Sequence, residues 1–281
     1  MKNELFSIGP FTIYGYGLMV GIGIVTAYLL VEYLAKKKKL DAEPVFGLTI
    51  FSVIGGFAGS KLLYTLTRLK DIIQDPSVIK DIATGWVVYG GIIGGILTAV
   101  VFCKVKKLEF LRYLDIALPA VAMAQGFGRI GCFLAGCCYG QPTDSWCAVT
   151  FTNSAYAPNG VALMPTQLIS SGLDFLLFAV LFFLLFKLQA PGQVGGVYLV
   201  LYSIGRFVLE FYRGDLIRGN VGTLSTSQFI SVFTAIAGMI LIWGANVLYR
   251  KKVAHLEAGS KEMLKVKEDT ESGAEDETEE N

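Results

Sequence analysis

Seven apolar runs, each about 20 residues long, leave this chain few ways to fold. They fall at approximately 14–35, 45–66, 86–105, 112–138, 165–188, 194–212 and 224–248. About 20 helical residues cross a hydrocarbon core, and only helices or closed barrels satisfy their own backbone there. A membrane strand needs only about 10 residues, so runs of this length are read as helices. Composition agrees, at 53% hydrophobic and 17% charged with a mean hydropathy of +0.56. The expected fold class is an all-α polytopic membrane protein with about seven transmembrane helices. One membrane domain spans 1–252, a short tail spans 253–281, and little chain remains for a soluble domain.

The net charge of +1 conceals a segregation. Eight of the acidic residues lie in 268–281 with no base among them, so the body carries a positive excess. That excess suits an anionic lipid surface, the tail reads as disordered and solvated, and nothing points to nucleic acid. The first apolar run is long and leads straight into Lys36–Lys39, which reads as a retained helix rather than a cleaved signal. Lys104, Lys106, Lys107, Arg112, Lys187 and Arg250–Lys252 fall on that same side, against Arg68, Lys70, Lys80, Arg213 and Arg218 on the other. The basic bias predicts an outside N-terminus and a cytoplasmic C-terminus. The tail is then cytoplasmic.

With that orientation, polar groups from five helices reach the outer side. The most distinctive stretch is Gly126–Gly140, a glycine-studded helix end carrying Arg129. An arginine at membrane depth is costly unless it meets an anion or carboxylate, although a snorkelling interfacial arginine fits the same pattern. In the second motif, Arg206 and Glu210 stand at i, i+4 with Arg213 three residues beyond. Two guanidiniums and one carboxylate on a stripe leave net positive charge that suits a phosphate; a structural ion pair is the plainer alternative. Tyr16, Lys61 and Tyr89 lie toward the same side, while Asp174 sits near the middle of the fifth helix. Gly55, Gly56 and Gly59, and Gly90, Gly91, Gly94 and Gly95, read as close helix packing. Segment 67–85 is either a short interfacial helix or a loop, and segment 140–164 is an external loop able to cover a site.

Of the five cysteines, Cys132, Cys137, Cys138 and Cys147 cluster around the central stretch. Their spacing lacks the paired C-x-x-C knuckles of zinc sites, and the one histidine, His255, lies in the tail. No metal and no cofactor is expected. A disulfide from Cys147 to Cys137 or Cys138 suits an oxidising exterior, with Cys132 as small apolar packing.

The chain resembles the prolipoprotein diacylglyceryl transferases over nearly the whole seven-helix body. Gly128-Arg129-Ile130-Gly131-x-Phe133-x-x-Gly136-x-x-Tyr139-Gly140 is similar to that family's Gly-Arg-x-Gly-Asn-Phe-x-Asn-Gly-Glu signature. Tyr16-Gly17-Leu18-Met19, Gly90-Gly91, Pro165-Thr166-Gln167-Leu168 and Arg206-x-x-x-Glu210-x-x-Arg213 match in order and spacing. The chain departs from the pattern with Cys132 and Cys137 for asparagine and glutamate, and with Tyr89 for a histidine. Further departures are Ile169-Ser170 for Tyr-Glu and Lys61 for an arginine.

The resemblance implies an enzyme of lipoprotein biosynthesis in the bacterial cytoplasmic membrane, its site facing the outer leaflet. Phosphatidylglycerol would donate its diacylglyceryl group to the lipobox cysteine of a prolipoprotein signal peptide, releasing glycerol phosphate. By the same resemblance Arg129 holds the headgroup phosphate, Arg206 serves the reacting centre, and Glu210 orients Arg206. Tyr16 and Gln167 would line the cavity, and Gly128, Gly131, Gly140, Arg213 and Lys61 would complete the binding set. The acceptor thiol needs help to ionise, from either Tyr89 or the arginine field. Two other readings stand beside this one: a paralogue that binds phospholipid without this transfer, and a transporter of small solutes or lipid.

Overall fold

The computed structural model describes residues 4–8, 11–74, 85–214 and 220–279. A short hairpin, β1 (Glu4–Ile8) and β2 (Phe11–Tyr14), leads into α1 (Gly15–Lys37). Helices α2 (Glu43–Thr67), α3 (Leu69–Gln74), α4 (Val88–Val105) and α5 (Phe110–Ala135) follow. A second hairpin, β3 (Val149–Thr150) with β4 (Ala162–Leu163), precedes α6 (Thr166–Lys187) and α7 (Gln193–Glu210). A third, β5 (Asn220–Val221) with β6 (Leu224–Ser225), opens α8 (Thr226–Glu279).

Six of the described helices are long and apolar enough to cross a membrane: α1, α2, α4, α5, α6 and the Thr226–Glu257 part of α8. The seventh expected span corresponds to α7, which holds Gln193, Arg206 and Glu210 within 18 residues and falls outside that set. Successive long helices alternate in direction. The starts of α1, α4, α6 and α8 therefore share one end of the bundle with the finishes of α2, α5 and α7.

Packing is chiefly pairwise: α2 with α4, α1 with α5, α5 with α6, and α7 with α8. The core lies where α1, α2, α5, α6 and α7 meet, around Leu34, Val45, Ile116, Ala122, Leu181 and Val194. On the α2–α4 face, a Cβ added to Gly59 would collide with the Gly90 carbonyl oxygen, and one on Gly94 with that of Gly55. Small residues are required there so that the two backbones can meet. Asp115 caps the start of α7: its carboxylate accepts from Gly192 N at 2.7 Å and Gly195 N at 2.9 Å. Those are backbone donors that a helix N-terminus leaves unpaired. The sequence reading gave Asp115 no special role.

Several expectations are refined. Helix α5 stops at Ala135, short of the expected 138, because Gly136 takes the left-handed conformation at φ +75. Segment 67–85 contributes the six-residue helix α3; its part 75–84, with Lys80, lies outside the described residues, as does Arg218. Segment 140–164 folds into a small second core in which Phe151 and Leu163 are buried against Phe133 and Tyr139. Helix α8 has a helical backbone as far as Glu279, through a stretch that composition reads as disordered. Lysines, glutamates, Met263 and Leu264 there are strong helix formers.

Candidate active site

The chain leaving α5 is the scaffold of the site. Past the Gly136 cap it continues through Cys138, a non-glycine residue held at φ +61, and reaches Gly140. Gly140 bridges to Arg213 as a short antiparallel pair, with Gly140 N bonded to Met164 O at 3.1 Å. A Cβ on Gly140 would press on that Met164 oxygen at 2.5 Å, so glycine is needed for this approach. Gln141 N reaches Tyr212 O at 3.0 Å and Gly214 N reaches Tyr139 O at 3.1 Å, lashing the end of α7 to the loop. From α6, Thr166 Oγ1 donates to Cys138 O at 3.0 Å and Gln167 Nε2 to Cys137 O at 2.9 Å. Three elements distant in sequence are thus tied together by backbone carbonyls.

They enclose a narrow chamber of about 10 Å³ whose walls include Arg129, Arg206, Arg213, Cys138, Thr166 and Gln167. The three guanidiniums differ in how they are held. Arg206 pairs with Glu210 Oε2 at 2.8 Å and donates to Ser227 Oγ at 3.0 Å, while Ser225 Oγ donates to Glu210 Oε1 at 3.0 Å. The i, i+4 pair read from the sequence is therefore anchored by the start of α8. Arg213 is 7% exposed and bonds the Cys138 sulfur. Arg129 has no hydrogen bond or ion pair among the described residues, although Asp174 of α6 lies within electrostatic reach. Three cations on the wall, one of them paired with Glu210, leave the chamber electropositive, and Arg213 and Arg129 both act unfavourably on Arg206. Gln167 is 1% exposed, and its Oε1 has no partner among the described residues. A buried acceptor in that state needs a donor from water or from a ligand.

A second, apolar cavity of about 470 Å³ adjoins the chamber, with Leu209 in both walls. It is lined by Ile169 and Leu173 of α6 and by Gly205, Val208 and Tyr212 of the α7 end. The two spaces differ in character: guanidiniums line one, and apolar side chains line the other.

Tyr16, at the start of α1, is near the cysteines and Arg129, and packs on Gly131, where a Cβ would meet its ring at 3.2 Å. Gly128 faces open space, with nothing within 4 Å of the point where a Cβ would stand. Tyr89 and Lys61 are not in the chamber wall. Tyr89 is 42% exposed at the start of α4; Lys61 Nζ donates to Gly85 O at 3.0 Å and lies 4.1 Å from the Trp86 ring centre.

All five cysteines are free thiols. The expected disulfide to Cys147 is corrected: its sulfur contacts Ser145 Oγ at 3.3 Å and Met164 Sδ at 3.9 Å, because the loop turns it toward β4. Cys132, expected to be apolar packing, instead lies with Cys137 and Cys138, the three sulfurs within 4.8 Å of one another. The Cys132 and Cys137 thiols, together with Arg213, hold the Cys138 thiol well below its usual range. Sequence reasoning also missed Ser225 and Ser227, and quoted Thr166 in a motif without a role; these are ordinary polar residues whose roles depend on what folds next to them.

Comparison with known proteins gives a consistent result. Residues 3–244 match the prolipoprotein diacylglyceryl transferase family. The chain is 48% identical over 244 residues to the phosphatidylglycerol–prolipoprotein diacylglyceryl transferase of Clostridium tetani, covering 86% of this chain and 96% of that one. It is 45% identical over 254 residues to transferase 2 of Clostridium perfringens, covering 90% and 98%. It is 34% identical to transferase 1 of the same organism over 247 residues, covering 86% and 94%.

Proposed function

Because the chain belongs to the prolipoprotein diacylglyceryl transferase family, we propose that its electropositive chamber holds the phosphate of phosphatidylglycerol and that the adjoining apolar cavity takes the acyl chains. The protein is a membrane transferase of lipoprotein biosynthesis, moving a diacylglyceryl group from phosphatidylglycerol to prolipoprotein. The observation that carries the site assignment is the guanidinium of Arg129, unpaired among the described residues, facing the same chamber as Arg206 and Arg213. Guanidinium forks match phosphate oxygens, and in a water-poor site their charge acts at full strength.

Each residue then has a task. Arg129 holds the phosphodiester, and Arg206, fixed by Glu210 and Ser227, stabilises charge on the departing phosphate. Gln167 Oε1 accepts from a hydroxyl of the glycerol headgroup, which supplies its missing partner. The acceptor is the lipobox cysteine of an exported precursor. Its sulfur forms a bond to the diacylglyceryl carbon as the carbon–oxygen bond to phosphate breaks. The electron pair leaves with glycerol phosphate, and the proton lost by the thiol balances the charge gained by that leaving group. Tyr89 lies outside the chamber wall, so the arginine field is the better-supported means of ionising the thiol. The site faces the outer leaflet of a bacterial cytoplasmic membrane, with the lysine-rich helix ends and the acidic tail inside.

The test is transfer in vitro from phosphatidylglycerol to a lipobox peptide, following thioether formation and glycerol phosphate release together. Wild type is expected to give both in equal amounts and Arg206→Ala neither. Thioether formation undiminished in Arg206→Ala would overturn the assignment.

A further inference from the structure

We propose that Cys132, Cys137 and Cys138 form a three-thiolate site for a thiophilic d10 cation such as Zn²⁺. The C-x₄-C-C spacing argues against a zinc knuckle, and it is the fold that assembles the sulfurs. Cys132 stands in the last turn of α5. Gly136 reverses the chain in the left-handed conformation, with Cys137 N returning to Cys132 O at 3.1 Å. Cys138, itself at positive φ, completes the reversal, and the three sulfurs come within 4.8 Å of one another. Thr166 and Gln167 fix the backbone carbonyls of Cys138 and Cys137, so the cluster is held from α6 as well. A side chain forced out of its favoured backbone region at such a place commonly marks a functional arrangement.

The geometry and charge both suit such an ion. Zinc–sulfur bonds of about 2.3 Å in a tetrahedral site set sulfurs about 3.8 Å apart, so the triangle closes by at most about 1 Å. Two of the three cysteines lie on a loop, where side-chain rotation covers that distance. Three soft donors select Zn²⁺ or Cu⁺ over Mg²⁺ or Ca²⁺. Three thiolates around a divalent ion leave one negative charge, and the neighbouring Arg129 and Arg213 offset it. Three protein ligands also leave a fourth position open, beside the chamber that Cys138 helps to line.

The full-length chain, purified in detergent and kept reduced without oxygen, is titrated with Zn²⁺ against a chromophoric chelator. One equivalent per chain is expected, held at least about 100-fold more tightly than by Cys137→Ser/Cys138→Ser, with Cys103→Ser and Cys147→Ser like wild type. Independently of any variant, Zn²⁺ should slow alkylation of Cys132, Cys137 and Cys138 but not Cys147, as mapped by peptide mass spectrometry. Failure of wild type to take up stoichiometric Zn²⁺ would overturn the proposal. So would alkylation of the three cysteines at an unchanged rate.

Discussion

Two glycine-rich regions of this protein look alike in sequence and do different things. On the α2–α4 face, glycines meet glycines: Gly55, Gly59, Gly90 and Gly94 each stand against a carbonyl oxygen or backbone of the other helix. Around the end of α5 the close approaches are to loop segments and not to a facing helix, with Gly140 against both Met164 and Gly214. Gly128 faces open space, Gly131 supports Tyr16, Gly136 reverses the chain, and Gly140 admits the Met164 carbonyl. Here the missing side chains shape a turn that brings Arg129, Arg213 and three cysteines together. A glycine run announces close approach, and only the partner shows whether the approach serves packing or chemistry.

Substitutions separate the two regions by what they damage. The largest effect is expected from Arg206→Lys, which keeps a cation beside Glu210 and should lower transfer on the order of 10²–10³-fold while leaving thermal unfolding close to wild type. A parallel loss of folding would instead place Arg206 with the packing residues. Gly94→Leu should do the reverse, destabilising the α2–α4 pair by about 1–3 kcal/mol or more through overpacking, read as a lower unfolding temperature. Whatever protein remains folded should keep its affinity for phosphatidylglycerol. Gln167→Leu removes both the orphan acceptor and the bond to Cys137 O, and should raise KM for phosphatidylglycerol by about 10-fold. The smallest effect is expected at Gly128→Ala. Alanine gains up to about 1 kcal/mol of helix propensity, and the space is open. A drop in activity without a drop in stability would show that the open space is filled by substrate.

Much of this was readable in the chain. The fifth apolar run was expected at 165–188 and α6 is Thr166–Lys187, because hydropathy and membrane thickness set the same length. The pairing of Arg206 with Glu210 followed from helical spacing alone. What stayed hidden depended on long-range partners. Asp115 caps a helix about 80 residues later, and Ser227 anchors Arg206 from the next helix. Alternating topology put Lys61 and Tyr89 at the same end as the arginines, yet it carries no information on lateral distance. Helices α2 and α4 pack chiefly on each other, and Lys61 turns to Gly85 and Trp86. The thiol cluster escaped for the same kind of reason: its ligand geometry comes from two positive φ angles and not from a spacing rule.

The central claim is that Arg129, which has no hydrogen bond or ion pair among the described residues, takes the lipid phosphate as its partner. It is tested most directly by equilibrium binding of phosphatidylglycerol and of the phosphate-free diacylglycerol to wild type and to Arg129→Ala. Wild type should prefer phosphatidylglycerol by at least about 10-fold, and Arg129→Ala should bind the two lipids nearly alike. An undiminished preference in Arg129→Ala would contradict the account.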